Sequence, residues 1–201
     1  MVAPYMADEV KNTFVASAPG SLVVFDRMAP NAGVTHFENI VTPPSSELAA
    51  ELDSAAEWLG VSIEEILLAA LGRTFGRTRG DGSVGVNVVD SKQTSRRVSL
   101  LCAAALPMGP TEMLQGAHNS LAAAARPDVA PEIVLDVSGA AAPGAGGCPL
   151  ELRVSQDREH GALRLDWWYD TARLDPYSVQ EMVEQFPLAL IEITSDAAAP
   201  L

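Results

Sequence analysis

Three histidines, His36, His118 and His160, and two cysteines, Cys102 and Cys148, are the side chains of this 201-residue chain best suited to proton transfer or nucleophilic attack near neutral pH. An imidazole acts as a general base when a second group orients it and a substrate proton lies within hydrogen-bond reach. The three histidines fall in an expected strand, helix and hairpin turn, far apart in sequence. Each therefore reads first as a surface or capping residue, and in a catalytic reading one of them supplies the base. No Gly-x-Ser-x-Gly turn presents a serine nucleophile. No Gly-x-Gly-x-x-Gly or Walker-type loop follows a strand, because "GRTRGDG" lacks the Lys-Ser or Lys-Thr that would open a helix, so nucleotide binding is unsupported. Cys102 lies in an apolar run and Cys148 beside a Gly-rich loop, with no clustered His or Cys partners. Both read as reduced thiols, which fits a cytoplasmic setting, and neither a metal nor a cofactor is expected. Among the carboxylates only Asp166 sits in an apolar setting, and it reads as half of a cross-strand charge pair with Arg153.

The charge balance limits the partners. Thirteen basic against twenty-six acidic residues give a net charge of −13, which repels nucleic acid and anionic membranes. No apolar run approaches the roughly 18 residues needed to span a bilayer. The N-terminal "MVAPYMADEVKNTF" lacks the basic-then-apolar order of a secretory signal. Basic side chains gather at Arg73, Arg77 and Arg79 and at Arg96 and Arg97, the places where an acidic partner would be welcomed.

The elements that must position these groups follow from periodicity. Residues 1–20 show none and read as an irregular arm; residues 21–201 read as one domain. A short strand is expected at 22–25 and another near 36–41. After Pro43 and Pro44, Leu48, Leu52, Ala55 and Leu59 share one helical face that Gly60 terminates. Ser62 and Glu65 form a capping box for a second helix carrying Ile63, Ile66, Leu67, Ala70, Leu71 and Phe75 at helical spacing. Val84, Val86 and Val88 mark a buried strand, and the run from Val98 to Leu106, apolar on both faces, predicts a central strand covered above and below. A helix opening at Pro110 and a strand at "EIVLDVS" follow. "PLELRVS" and "ALRLDWWYD" alternate in step as an antiparallel hairpin. Asp175 and Pro176 start a last helix that buries Val179, Val183, Phe186 and Leu190, with a kink expected at Pro187. The fold class is α/β, one mixed sheet with helices packed against it.

This succession resembles the C-terminal lobe of the condensation domains of nonribosomal peptide synthetases, relatives of chloramphenicol acetyltransferase. "VVFDRMAPNAGVTHFENIV" looks like the Asp-Arg-Pro bridge segment that precedes that lobe. "LDSAAEWLGVSIEEILLAALGRTFGRTRGDGSVGVNVV" is similar to its helix pair and strand. "SLLCAAALPM" corresponds to a stretch commonly reading Val-Gly-x-Phe-Val-Asn-Thr-x-Pro-Leu, and residues 149–186 follow its closing hairpin and helix. The hallmark His-His-x-x-x-Asp-Gly, which the resemblance assigns to the N-terminal lobe, is not in this sequence, and Asp90-Ser91 replaces the usual Gly-Arg. The resemblance thus implies a half protein of a peptide or acyl assembly line, inactive alone. Its partner is a separate condensation-type lobe, a carrier protein or a tailoring enzyme.

A solitary lobe leaves an interdomain surface bare, and a bare apolar surface generally marks a partner site. Strand alternation places Trp168 opposite in facing to Trp167, on the polar side of its strand. Either Trp168 belongs to that contact, or a helix of this chain covers it. Trp168, Arg73, Arg77, Arg96 and Arg97 are the expected partner-binding residues. The alternative is a homodimeric acyltransferase or cyclase with His36, His118 or His160 as base.

Overall fold

The computed structural model describes residues 20–28, 36–123, 130–139, 147–156 and 161–201. The expected N-terminal arm, most of the Gly/Ala-rich loop, and the hairpin turn with His160 lie outside the described residues.

Local signals set the helix boundaries. In α1 (Ser46–Leu59) the Ser45 hydroxyl accepts from Leu48 N–H at 3.1 Å, and Gly60 ends the helix at φ +68°, a conformation that favours glycine. In α2 (Ile63–Arg79) Ser62 Oγ accepts from Glu65 N–H at 3.3 Å, while Glu65 Oε2 accepts from Ser62 N–H at 2.6 Å, completing the capping box. Helix α3 (Pro110–Ala122) opens at its proline, and α4 (Pro176–Asp196) opens with the Asp175 carboxylate accepting from Tyr177 N–H. Pro187 lies inside α4, which continues through it to Asp196.

Six strands form one mixed sheet: β1 (Phe37–Val41), β2 (Gly82–Val89), β3 (Ser95–Cys102), β4 (Ile133–Asp136), β5 (Leu150–Gln156) and β6 (Leu163–Asp170), in the order β1-β6-β5-β4-β2-β3. β4 runs parallel to β2 and β5; the other pairs are antiparallel. The hairpin expected from "PLELRVS" and "ALRLDWWYD" is β5–β6. One core fills the space between the sheet and the helices, with Trp167 and Phe186 in edge-to-face contact at 5.6 Å and 79°.

Three sequence expectations are corrected. The 98–106 run is not a central strand: β3 is an edge strand that ends at Cys102, and it alternates, with Val98, Leu100 and Cys102 buried while Ser99 and Leu101 are half-buried. The end of β3 and the residue just after it cross α2, where two glycines admit Leu101 and Ala103. A Cβ on Gly76 would come within 2.1 Å of the Ala103 carbonyl carbon, and one on Gly72 within 2.4 Å of the Leu101 oxygen. Helix α2, read as having one apolar face, is buried all round from Ile66 to Gly76, because α3, α4 and this crossing segment enclose it. The strand expected at 22–25 reduces to a single bridge, Ser21 to Ser83, although Leu22 and Val24 are buried and Val23 is exposed as alternation requires.

Candidate functional site

The capping box that starts α2 also orients an imidazole. His118, on α3, places Nδ1 2.7 Å from Glu65 Oε1, while the other carboxylate oxygen holds the Ser62 N–H. This carboxylate is 12% exposed and His118 is 38% exposed, so the ring is fixed on one side and open on the other. A cleft of about 400 Å³ lies against Glu65, lined also by Ser62, Ser91, Thr94, Lys92 and Arg96. A second cleft of about 360 Å³ shares Glu64 and Ser91 with it and is walled by Leu52, Ile63, Val137, Val154 and Leu163. A cleft lined mainly by polar residues thus adjoins one of mixed lining, with an apolar wall, at the loop Asp90-Ser91, where the resemblance places Gly-Arg. Asp90 shapes that loop, its Oδ1 accepting from the N–H groups of Lys92 and Thr94.

Of the other histidines, His36 is exposed beside β1, its carbonyl accepting from Thr171. β1 and β3 are opposite edges of the sheet, about 24 Å apart at the usual strand spacing, and α3 packs on β3. The structure does not bring His36 and His118 together. His160 lies outside the described residues.

The five expected partner residues divide. Arg73 is 2% exposed; it donates to the carbonyls of Ala103 at 2.9 Å and Met108 at 2.7 Å and pairs with Glu192 at 3.2 Å. The expectation of a surface contact at Arg73 is therefore corrected: its charge is used inside the fold to tie the crossing segment to α2 and α4. Arg77, partly exposed, pairs with the same Glu192. Arg96 is exposed on the rim of the polar cleft, with Nη1 donating to Leu121 O. Trp168 and Arg97 share the sheet face opposite Trp167 and the helices. One row crosses all six strands there: Asn39, Trp168, Glu151, Val134, Asn87 and Arg97. Trp168 is half-buried in this row, between the exposed Asn39 and the buried Glu151 and Val134. Arg153 and Asp166 are register partners, but the expected charge pair between them is corrected: each pairs along its own strand, with Glu151 and Arg164 respectively.

Periodicity gives no sign of the node at Asp26. Its carboxylate pairs with Arg79 at 2.7 Å and accepts from Asp175 N–H at 2.7 Å and Ser178 Oγ at 3.1 Å, joining the segment before β1 to the end of α2 and the start of α4. Burial raises its pKa, but the Arg79 hydrogen bond, the Asp175 N–H, the Arg79 charge and Ser178 outweigh this and hold the carboxyl below its ordinary value. Arg27 adds a pair with Asp175 at 2.9 Å. These two residues are the Asp-Arg of the bridge-like segment. Gly80, Gly82 and Gly85 have dinucleotide-loop spacing but lead from a helix into a strand, the reverse of the order phosphate binding requires. Among the described residues no group of three His, Cys, Asp or Glu side chains converges to hold a metal, and no helix is long and apolar enough to cross a membrane.

The architecture is that of nonribosomal peptide synthetase condensation and epimerization domains. The chain is similar to the epimerization domain from the third module of tyrocidine synthetase B, with a TM-score of 0.64 at 13% identity over 91% of this chain and 52% of that one. It is similar also to the first condensation domain of the CDA synthetase, with a TM-score of 0.61 at 16% identity over 90% of this chain and 49% of that one. The condensation domain of Monacolin K polyketide synthase gives a TM-score of 0.59 at 12% identity, covering 93% and 55% of the two chains. The chain therefore spans about half the length of these domains. Among curated proteins it is 30% identical to a polypeptide of the phenolphthiocerol/phthiocerol polyketide synthase of Mycobacterium tuberculosis and of Mycobacterium bovis, over 85% of this chain and 16% of the relative. No protein-family model matches the sequence.

Proposed function

We propose that this chain is a condensation-type lobe of a peptide or polyketide assembly line, working in association with a complementary lobe. The observation that carries this reading is coverage: nearly the whole chain superposes on about half of each condensation or epimerization domain. Trp168 and Arg97, on the sheet face opposite Trp167, are the proposed contacts, with Arg96 and Arg77 as secondary acidic-partner contacts; a carrier protein is the further candidate partner. Pull-down with a condensation-type N-terminal lobe from the same source tests this. Retention by the wild type, reduced by Trp168→Ala, supports the reading; turnover by the pure chain contradicts it.

A second reading has one specific observation in its favour, the His118–Glu65 contact, whose carboxylate also lines the first cleft. In it His118 is the base of an acyl transfer, its tautomer set by Glu65, and the second cleft receives the acyl chain. Purified protein that turns over an acyl thioester, and loses that activity in His118→Ala, establishes this reading over the first.

A further inference from the structure

We propose that the free edge of β1, with the groove beside it, takes an extended, lysine- or arginine-bearing segment of a partner protein, which adds to the sheet as a further strand. This inference is independent of the two-lobe reading.

β1 ends the sheet. Thr42 N–H points inward, donating to Leu165 O at 3.0 Å, so the alternation of an antiparallel ladder turns the N–H and C=O groups of Asn39 and Val41 outward. Proteins usually blunt such an edge with lysine, proline or a bulge, and the β1 sequence FENIV contains neither lysine nor proline. A groove of about 560 Å³ follows this edge between the start of α1 and α4. Its walls include Leu165, Val183, Pro187 and Ile191, and Val41 and Ile191 remain 42% and 43% exposed.

Charge selects the occupant. Glu47, Glu51 and Glu184 line the groove, and among the described residues no lysine, arginine or histidine does. Lysine and arginine stems lie well along apolar walls while their heads reach carboxylates. A second copy of this chain is the poorer occupant: its net charge is −13, and β1 brings Glu38 and no cation to such a pairing. Strand addition supplies affinity through the main chain, and the groove supplies selectivity through alternate side chains.

The test uses the full chain and a fluorescein-labelled peptide of alternating lysine and valine, with a glutamate-for-lysine peptide as control, read by fluorescence anisotropy at low salt. The lysine peptide is expected to bind at least about tenfold more tightly than the glutamate peptide. Val41→Pro removes an outward N–H and leaves the β6 ladder intact; it is expected to weaken binding at least about tenfold with an unchanged thermal melt. The double variant Glu47→Lys/Glu184→Lys reverses the groove's charge, removing also a first-turn carboxylate of α1 and the acceptor of Gln180, and is expected to weaken binding to the same degree. Equal binding of the two peptides, or wild-type binding by the double variant, overturns the proposal. So does wild-type binding by Val41→Pro, which would mean a helical occupant. Concentration-dependent dimerisation abolished by Val41→Pro also overturns it, in favour of a second copy.

Discussion

Asp26 and Arg79 lie 2.7 Å apart, and through this pair the segment entering the sheet is fastened to the end of the central helix. The same carboxylate holds the N-terminus of α4, so one side chain joins three parts of the chain that sequence separates. Because the folded pKa of Asp26 is depressed, its stabilisation is full above the unfolded value of about 3.9 and is lost as pH falls through the folded value. Asp26→Asn should therefore cost about 1–2 kcal/mol at pH 7, allowing for partial exposure, and progressively less as the pH is lowered from the unfolded value towards 2. Urea melts at the two pH values check this; equal losses at both would show that the charge is not what matters.

Gly76→Ala should destabilise the fold strongly. The new Cβ meets backbone rather than a movable side chain, at 2.1 Å, so the crossing segment must shift. A loss of about 3 kcal/mol, lowering the melting temperature by roughly 6–12 °C, is expected from calorimetry.

Arg73→Met should cost about 3 kcal/mol, since the carbonyls of Ala103 and Met108 lose their donor in a buried setting. Arg73→Lys should not restore it, because one ammonium cannot reproduce the guanidinium fork. Chemical denaturation of both variants reads this directly.

Both thiols should be silent in the native state. Burial, with the Asp81 charge adding to it, pushes Cys102 up to about 12, and burial likewise raises Cys148. At pH 8 the Cys102 thiolate fraction is then roughly one in ten thousand. A disulfide-exchange reagent should titrate no thiol in the folded protein and two in denaturant; fast native reaction would contradict the packing described here.

Much of the scaffold is legible from local pattern. Gly60, the Ser62–Glu65 box and Asp175-Pro176 mark helix ends because capping is settled within one turn. The β5–β6 hairpin shows in its alternation. What misleads is apolarity with different causes: Val98, Leu100 and Cys102 face the core, Ala103 lies against α2, and Ala105 to Pro107 are exposed, yet a one-dimensional pattern merges them into one strand. Arg73 misleads similarly, since a cation beside other cations reads as surface until Glu192 and two carbonyls, all distant in sequence, enclose it. The His118–Glu65 contact is hidden for another reason: the cap accounts for Glu65 in full at the level of sequence, and its second oxygen is placed by the packing of α3 on α2.

The most direct test of the two-lobe account is native mass spectrometry of the protein isolated gently from its own cells. The account predicts that this polypeptide is recovered joined to, or tightly bound by, a condensation-type N-terminal lobe carrying His-His-x-x-x-Asp-Gly. Recovery as a stable monomer of these 201 residues alone, with catalytic turnover of its own, would contradict it.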